Sequence, residues 1–198
     1  ARLVMEKTEH VLLAGEGANQ FAEQLGIHAE RDEYFFTEHR WLQLQEAIAA
    51  GRVQLDHAVA KPVGTVGAVA CDKKGNLAAA TSTGGMTIKK FGRVGDTPLI
   101  GSGTYADEFC AVSCTGHGEY FMLGVTAFDV AARMKYKNST LEIAARETID
   151  RLTQIKGEGG LIAVDTKGNV TLPFNSEGMY RGWVNADGEL ITAIFGSE

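Results

Sequence analysis

No run of about 18 apolar residues occurs in this chain, so neither a membrane-spanning helix nor a signal peptide is expected. Basic charge is in deficit, with 19 Lys and Arg against 25 Asp and Glu, a net charge of −6. Nucleic acid and anionic membrane surfaces both demand a basic face, so neither is expected as a partner. Cysteine is scarce. Cys71, Cys110 and Cys114 are an odd number with no framework spacing, and each lies in an apolar stretch. They read as buried free thiols of a reducing compartment, hence a cytoplasmic protein. His10, His28, His39, His57 and His117 form no His-x-x-x-His pattern, and the cysteines form no Cys-x-x-Cys, so no metal site is expected. What is present is ordinary for a soluble domain with a core: 198 residues, 44% hydrophobic and 22% charged.

Ala1–Lys7 reads as the end of a helix, and the chain is expected to be a fragment or a processed piece. His10–Ala14 reads as a short strand, Glu16–Leu25 as a helix stopped by Gly26, and residues 38–50 as a helix stopped by Gly51. Arg52 to Gly64, with Pro62 and weak periodicity, reads as an exposed linker accessible to cleavage. Val66–Cys71 and Leu77–Thr81 flank Asp72-Lys73-Lys74-Gly75-Asn76 and form a hairpin. Leu161–Val164 and Val170–Leu172 repeat the design around Asp165-Thr166-Lys167-Gly168-Asn169. Ala111–Cys114 and Ile191–Phe195 are further strands. One helix is expected from Glu119 to Met134, burying Phe121, Val125, Phe128 and Ala132. A second starts at a Ser139-x-x-Glu142 capping box and buries Leu141, Ala145, Ile149 and Leu152. Hairpins with a helical pair between them give an α+β layered fold.

Four clusters carry the chemistry. Thr65 follows Gly64 and opens the first hairpin strand. As it stands it is an ordinary β-branched strand residue. If the bond before it were cut, it would hold a hydroxyl beside a free α-amine, which titrates at ~7.7–8.0 and can serve as the base. Thr81, Ser82 and Thr83 end the second strand, and alternation puts Thr81 and Thr83 on one face. They read either as a threonine-rich edge or as hydroxyls approaching Thr65. Gly92-Arg93-Val94-Gly95-Asp96 sets a cation and an anion in a glycine-rich turn, either a surface ion pair or a clamp for a zwitterion. Thr115-Gly116-His117-Gly118 joins a strand to a helix. It is a tight connection or a set of N–H donors for an anion, without the spacing of a nucleotide fingerprint. Cys114 as a nucleophile would need a base, and none is visible nearby in sequence.

In this order the clusters resemble the plant-type (type III) asparaginases, also called isoaspartyl aminopeptidases. The likeness runs through Gly64–Ala70, Ala80–Met86, Gly92–Leu99, Thr115–Glu119 and Pro173–Arg181. It covers nearly all of 65–198 and reaches back through Ala1–Glu6 and Gly15–Ala18. The resemblance implies an N-terminal nucleophile hydrolase with a four-layer αββα sandwich, N-terminally incomplete here. The precursor would cleave itself between Gly64 and Thr65, making 1–64 the end of an α-subunit and 65–198 a β-subunit of an (αβ)₂ assembly. Thr65 would be the nucleophile, with its freed amine as base, and Thr83 would polarise its hydroxyl. Arg93 would hold the substrate α-carboxylate and Asp96 its α-ammonium. Thr115 and Gly116 would form the oxyanion hole. Val94, Gly95, His117 and Gly118 would complete the substrate pocket. The substrates would be L-asparagine and β-aspartyl peptides, with no cofactor. A family loop that binds sodium would lie in the absent N-terminal segment. Ile88, Lys90 and Phe91 depart from the usual Asn and apolar or Pro residues of the loop before Arg93, and Leu123 stands where many relatives carry Arg. Three alternatives remain at this point: a glycosylasparaginase-like hydrolase, an uncleaved inactive chain that binds amino acids, and a nucleotide-binding module using Thr115–Gly118.

Overall fold

The computed structural model describes residues 1–51, 64–185 and 187–196, so most of the expected linker lies outside the described residues. The chain divides into two units, Ala1–Gln43 and Leu44–Glu198. The first holds α1 (Arg2–Lys7), α2 (Gly15–Gln24), α3 (Asp32–Phe35) and the opening of α4 (Glu38–Ala50). Gly26 and Gly51 follow α2 and α4 with φ of +70° and +63°, the left-handed stop that glycine adopts at least cost. Residues 10–14 are not a strand. The short apolar run finds no pairing partner among the described residues, and an unpaired apolar stretch has no ladder to join.

The second unit carries the sheets. Here β1 (Val66–Cys71) pairs antiparallel with β2 (Leu77–Ser82). A four-stranded antiparallel sheet runs β3 (Thr104–Ala106), β4 (Cys110–Gly116), β5 (Gly159–Asp165), β6 (Val170–Thr171). A third hairpin joins β7 (Arg181–Val184) to β8 (Leu190–Ala193). The two echoing turns close identically: Asp72 Oδ1 accepts from the N–H groups of Lys74 and Asn76, and Asp165 Oδ1 from those of Lys167 and Asn169. These are Asx turns, which explains why the same residues recur at the same spacing.

Strand β4 is buried on both faces, and its alternation sorts two environments. Cys110, Val112 and Cys114 join the core formed with α6 (Thr126–Lys137) and α7 (Leu141–Gln154). Ser113 points the other way, where its hydroxyl meets Thr81 of β2 at 2.7 Å. The β1–β2 hairpin therefore lies against the face of the sheet opposite the helices. Leu141, Ala145, Ile149 and Leu152 are buried as expected.

Two helical expectations are corrected. The single helix from Glu119 to Met134 is two, α5 (Gly118–Gly124) and α6, broken at Val125 with φ +48°. The break lets the first N–H groups of α6 find tertiary partners: Ala127 donates to the carbonyl of Ser102 and Phe128 to that of Gly101. The rotation moves the stripe, so Ala127, Val130 and Ala131 are buried while Val125 and Phe128 are 44% and 37% exposed. The N-cap of α7 is Thr140, whose hydroxyl accepts from the Ile143 N–H, and not Ser139. Glu142 pairs instead with Arg146 one turn on.

The hairpin approaches β4 closely because Gly67 has no side chain. A Cβ there would lie 2.1 Å from Ser113 Oγ and 3.0 Å from Ser113 Cβ. Ser113 is itself buried and hydrogen-bonded, so it has nowhere to go. Gly67→Ala is expected to lower the unfolding free energy by about 2–3 kcal/mol. Adding Ser113→Gly should return part of that loss; chemical denaturation of the two variants measures both.

Candidate active site

Register alone places Thr65 against Thr83, since Val66 pairs with Ser82 one step along the hairpin. The two hydroxyls stand 3.3 Å apart, with Thr65 donating, a loose contact for an O–H···O pair. Thr83 Oγ1 also accepts from the Gly85 N–H at 3.1 Å, which orients it. Thr81, on the same strand face, turns its hydroxyl inward to Ser113 and Thr104 and does not reach Thr65.

A pocket of about 30 Å³ opens beside these hydroxyls. Gly64, Thr65, Thr83, Arg93, Gly95, Asp96 and Gly116 line it, so seven of the expected residues converge. Gly85, Met86 and Thr97 line it as well, although no role was expected of them. Val94 is 55% exposed, and Val94, Thr115, His117 and Gly118 lie outside the lining.

Asp96 is the most constrained group in the site. It is 6% exposed, and its Oδ2 has no hydrogen-bond partner. Burial pushes its carboxyl up to about 6, more than the opposing pull of its backbone hydrogen bonds and of Arg93. Two glycines make room for it. A Cβ on Gly118 would come within 2.7 Å of Asp96 Oδ1, and one on Gly103 within 2.7 Å of Oδ2. Gly118 thus lies against the Asp96 carboxylate without lining the pocket.

Arg93 does not pair with Asp96 in the manner of a surface bridge. Its Nε and Nη2 donate to Glu119 Oε1 and Oε2, each at 2.8 Å. Glu119 is held below the usual carboxyl range by this hydrogen bonding to Arg93. His117 Nε2 lies 3.2 Å from Glu119 Oε2, and its ring meets Tyr120 edge-on. Sequence alone does not mark Glu119 as a neighbour of Arg93. The signal at Glu119 is a carboxylate on the same turn as Gly118, visible in sequence but without a known partner.

Gly116 closes β4 with φ +146°, opposite Gly159 at φ +148°. The Phe121 ring fills the space that side chains would take, 2.8 Å from the Cβ position of either residue. Cys110 and Cys114 are poor nucleophiles: burial lifts Cys110 to about 12 and Cys114 well above its ordinary value. Cys71 is only half-buried, unlike the other two. In the loop before Arg93, the departures Ile88 and Phe91 both take left-handed φ, +51° and +55°, and Phe91 is fully exposed.

The asparaginase family model matches residues 1–194. This chain belongs to the asparaginase family. Its relatives include the isoaspartyl peptidases of Salmonella typhimurium, 54% identical over 98% of this chain and 64% of that protein, and of Escherichia coli, 50% identical over 98% and 63%. The plant-type L-asparaginase of Pyrobaculum calidifontis is 40% identical over 92% of this chain and 62% of its own length. The chain therefore spans under two thirds of the length of these asparaginase-family proteins. Among the described residues, no helix is long and apolar enough to cross a membrane.

Proposed function

We propose that the protein hydrolyses the side-chain amide of L-asparagine and of β-aspartyl peptides, with Thr65 as nucleophile after cleavage of the Gly64–Thr65 bond. The observation that carries the reading is a single pocket holding Thr65, Thr83, the Arg93 guanidinium and the buried, half-unpartnered Asp96. Asp96 Oδ2 lacks a donor, and a buried carboxylate without one is costly. A substrate α-ammonium would supply the Asp96 carboxylate with donors, while Arg93 takes the α-carboxylate. Gly64 lines the same pocket, so its departure after cleavage would enlarge a space now too small for an amino acid.

In the cleaved protein the α-amine of Thr65 takes the hydroxyl proton as Oγ1 attacks the amide carbon. Thr115 and Gly116 would stabilise the oxyanion. The ammonium returns its proton to the leaving nitrogen, and ammonia or the peptide amine departs. Water then cleaves the β-aspartyl ester, releasing aspartate and restoring the hydroxyl. Only side chains, backbone and water take part, so no cofactor enters the reaction. The same reading extends to a four-layer αββα sandwich, to 1–64 and 65–198 as the two cleaved subunits, to an (αβ)₂ assembly and to a cytoplasmic enzyme.

Incubation with β-aspartyl-leucine, α-aspartyl-leucine and L-asparagine tests this, with aspartate followed by NMR. Aspartate should appear from the first and third and not from the second. Release from α-aspartyl-leucine alone, or from none of them, would reject the reading.

A further inference from the structure

An arginine offers two forked edges to carboxylates, Nε with Nη2 and Nη1 with Nη2. In Arg93 the first edge is taken completely by Glu119, through two bonds of 2.8 Å. The guanidinium then lies over backbone that only glycine leaves open. Its Nη1 is 2.8 Å from the position of a Cβ on Gly95, and its Nη2 is 3.0 Å from that of a Cβ on Gly118. Arg93 is 18% exposed and lines the pocket, whereas Glu119 is 42% exposed and lies outside the lining. Glu119 is in turn met by His117 Nε2 at 3.2 Å. The order is therefore His117, Glu119, Arg93, pocket.

Resting on the function proposed above, we infer that Glu119 is a positioning residue that sets specificity for the α-carboxylate. By occupying the side edge of Arg93, it turns the free end edge toward the pocket and fixes the rotamer of a long side chain before substrate arrives. Without it, Arg93 would have to give up rotamer freedom on binding, and selection for ligands carrying an α-carboxylate would weaken. A ligand that lacks this group would not sense the change.

Glu119→Ala and Glu119→Gln, compared with wild type for binding of L-aspartate and of β-alanine, test the inference; β-alanine is aspartate without its α-carboxylate. Wild type should prefer aspartate. Glu119→Ala should weaken aspartate binding by about 10–100-fold, leave β-alanine unchanged and so collapse the preference. Glu119→Gln, which keeps an acceptor for Arg93 without the charge, should fall between. The Arg93 Nε–H signal in a ¹H–¹⁵N spectrum should be protected from exchange in ligand-free wild type and lost in Glu119→Ala. An unchanged preference, an equal loss for both ligands, or an Arg93 signal indifferent to Glu119 would overturn the inference. Wild type that shows no preference for aspartate would instead remove the clamp role of Arg93, and with it this role of Glu119.

Discussion

Asp96→Asn is expected to stabilise the ligand-free protein at pH 7.5 while abolishing its affinity for aspartate. The carboxyl is raised from 3.8 to about 6 in the fold, chiefly by desolvation. A folded state that binds a proton more tightly than the unfolded chain loses stability as pH rises between those two values. Above about 6 the full penalty stands, and about 1.4 kcal/mol per pKa unit bounds it near 3 kcal/mol. The amide removes the buried charge but brings an N–H₂ group that also needs partners, so a gain of about 1–2 kcal/mol is expected. Denaturation of both proteins from pH 4 to pH 8 measures it, and the fall in stability across pH 4–6 should be shallower in the variant. Loss of stability at pH 7.5 would mean that Asp96 is already compensated. In wild type, aspartate affinity should fall about tenfold per pH unit below about 6, because the ligand ammonium must then displace a proton from Asp96.

Thr65→Ala should have the largest effect on activity. The variant retains the strand, since the residue immediately precedes β1 and its hydroxyl makes only the loose contact with Thr83. It loses the atom that would attack both the Gly64 carbonyl and the substrate amide. Cleavage should be undetectable and aspartate release reduced by at least about 10⁴-fold, the scale seen when a nucleophile is deleted. A variant that is cleaved normally, or that keeps appreciable turnover, would remove Thr65 from the mechanism.

The part of the site that was legible in sequence is the part built by local rules. Alternation along β2 and a short turn put Thr83 opposite Thr65, and this needed nothing but the hairpin. The glycines around Arg93 and Asp96 announced close packing without saying against what. The partner of Arg93 was not legible, because Glu119 is far along the chain and reaches it only through the fold. Nor was the burial of Asp96, which depends on Gly103 and Gly118 approaching from two other segments. The fold shows the same divide. Helix stops at Gly26 and Gly51 are local and were visible, whereas the break at Val125 is imposed by the carbonyls of Gly101 and Ser102. Helix α3 and strand β3, at four and three residues, are too short to show a period at all.

Intact mass of the purified protein before and after rapid quenching with L-asparagine tests the central claim most directly. Two polypeptides are expected, the second beginning at Thr65, and quenching should add one aspartyl group to that second polypeptide and to no other. Release of aspartate by a chain that stays whole across Gly64–Thr65, or an adduct that maps elsewhere, would contradict it.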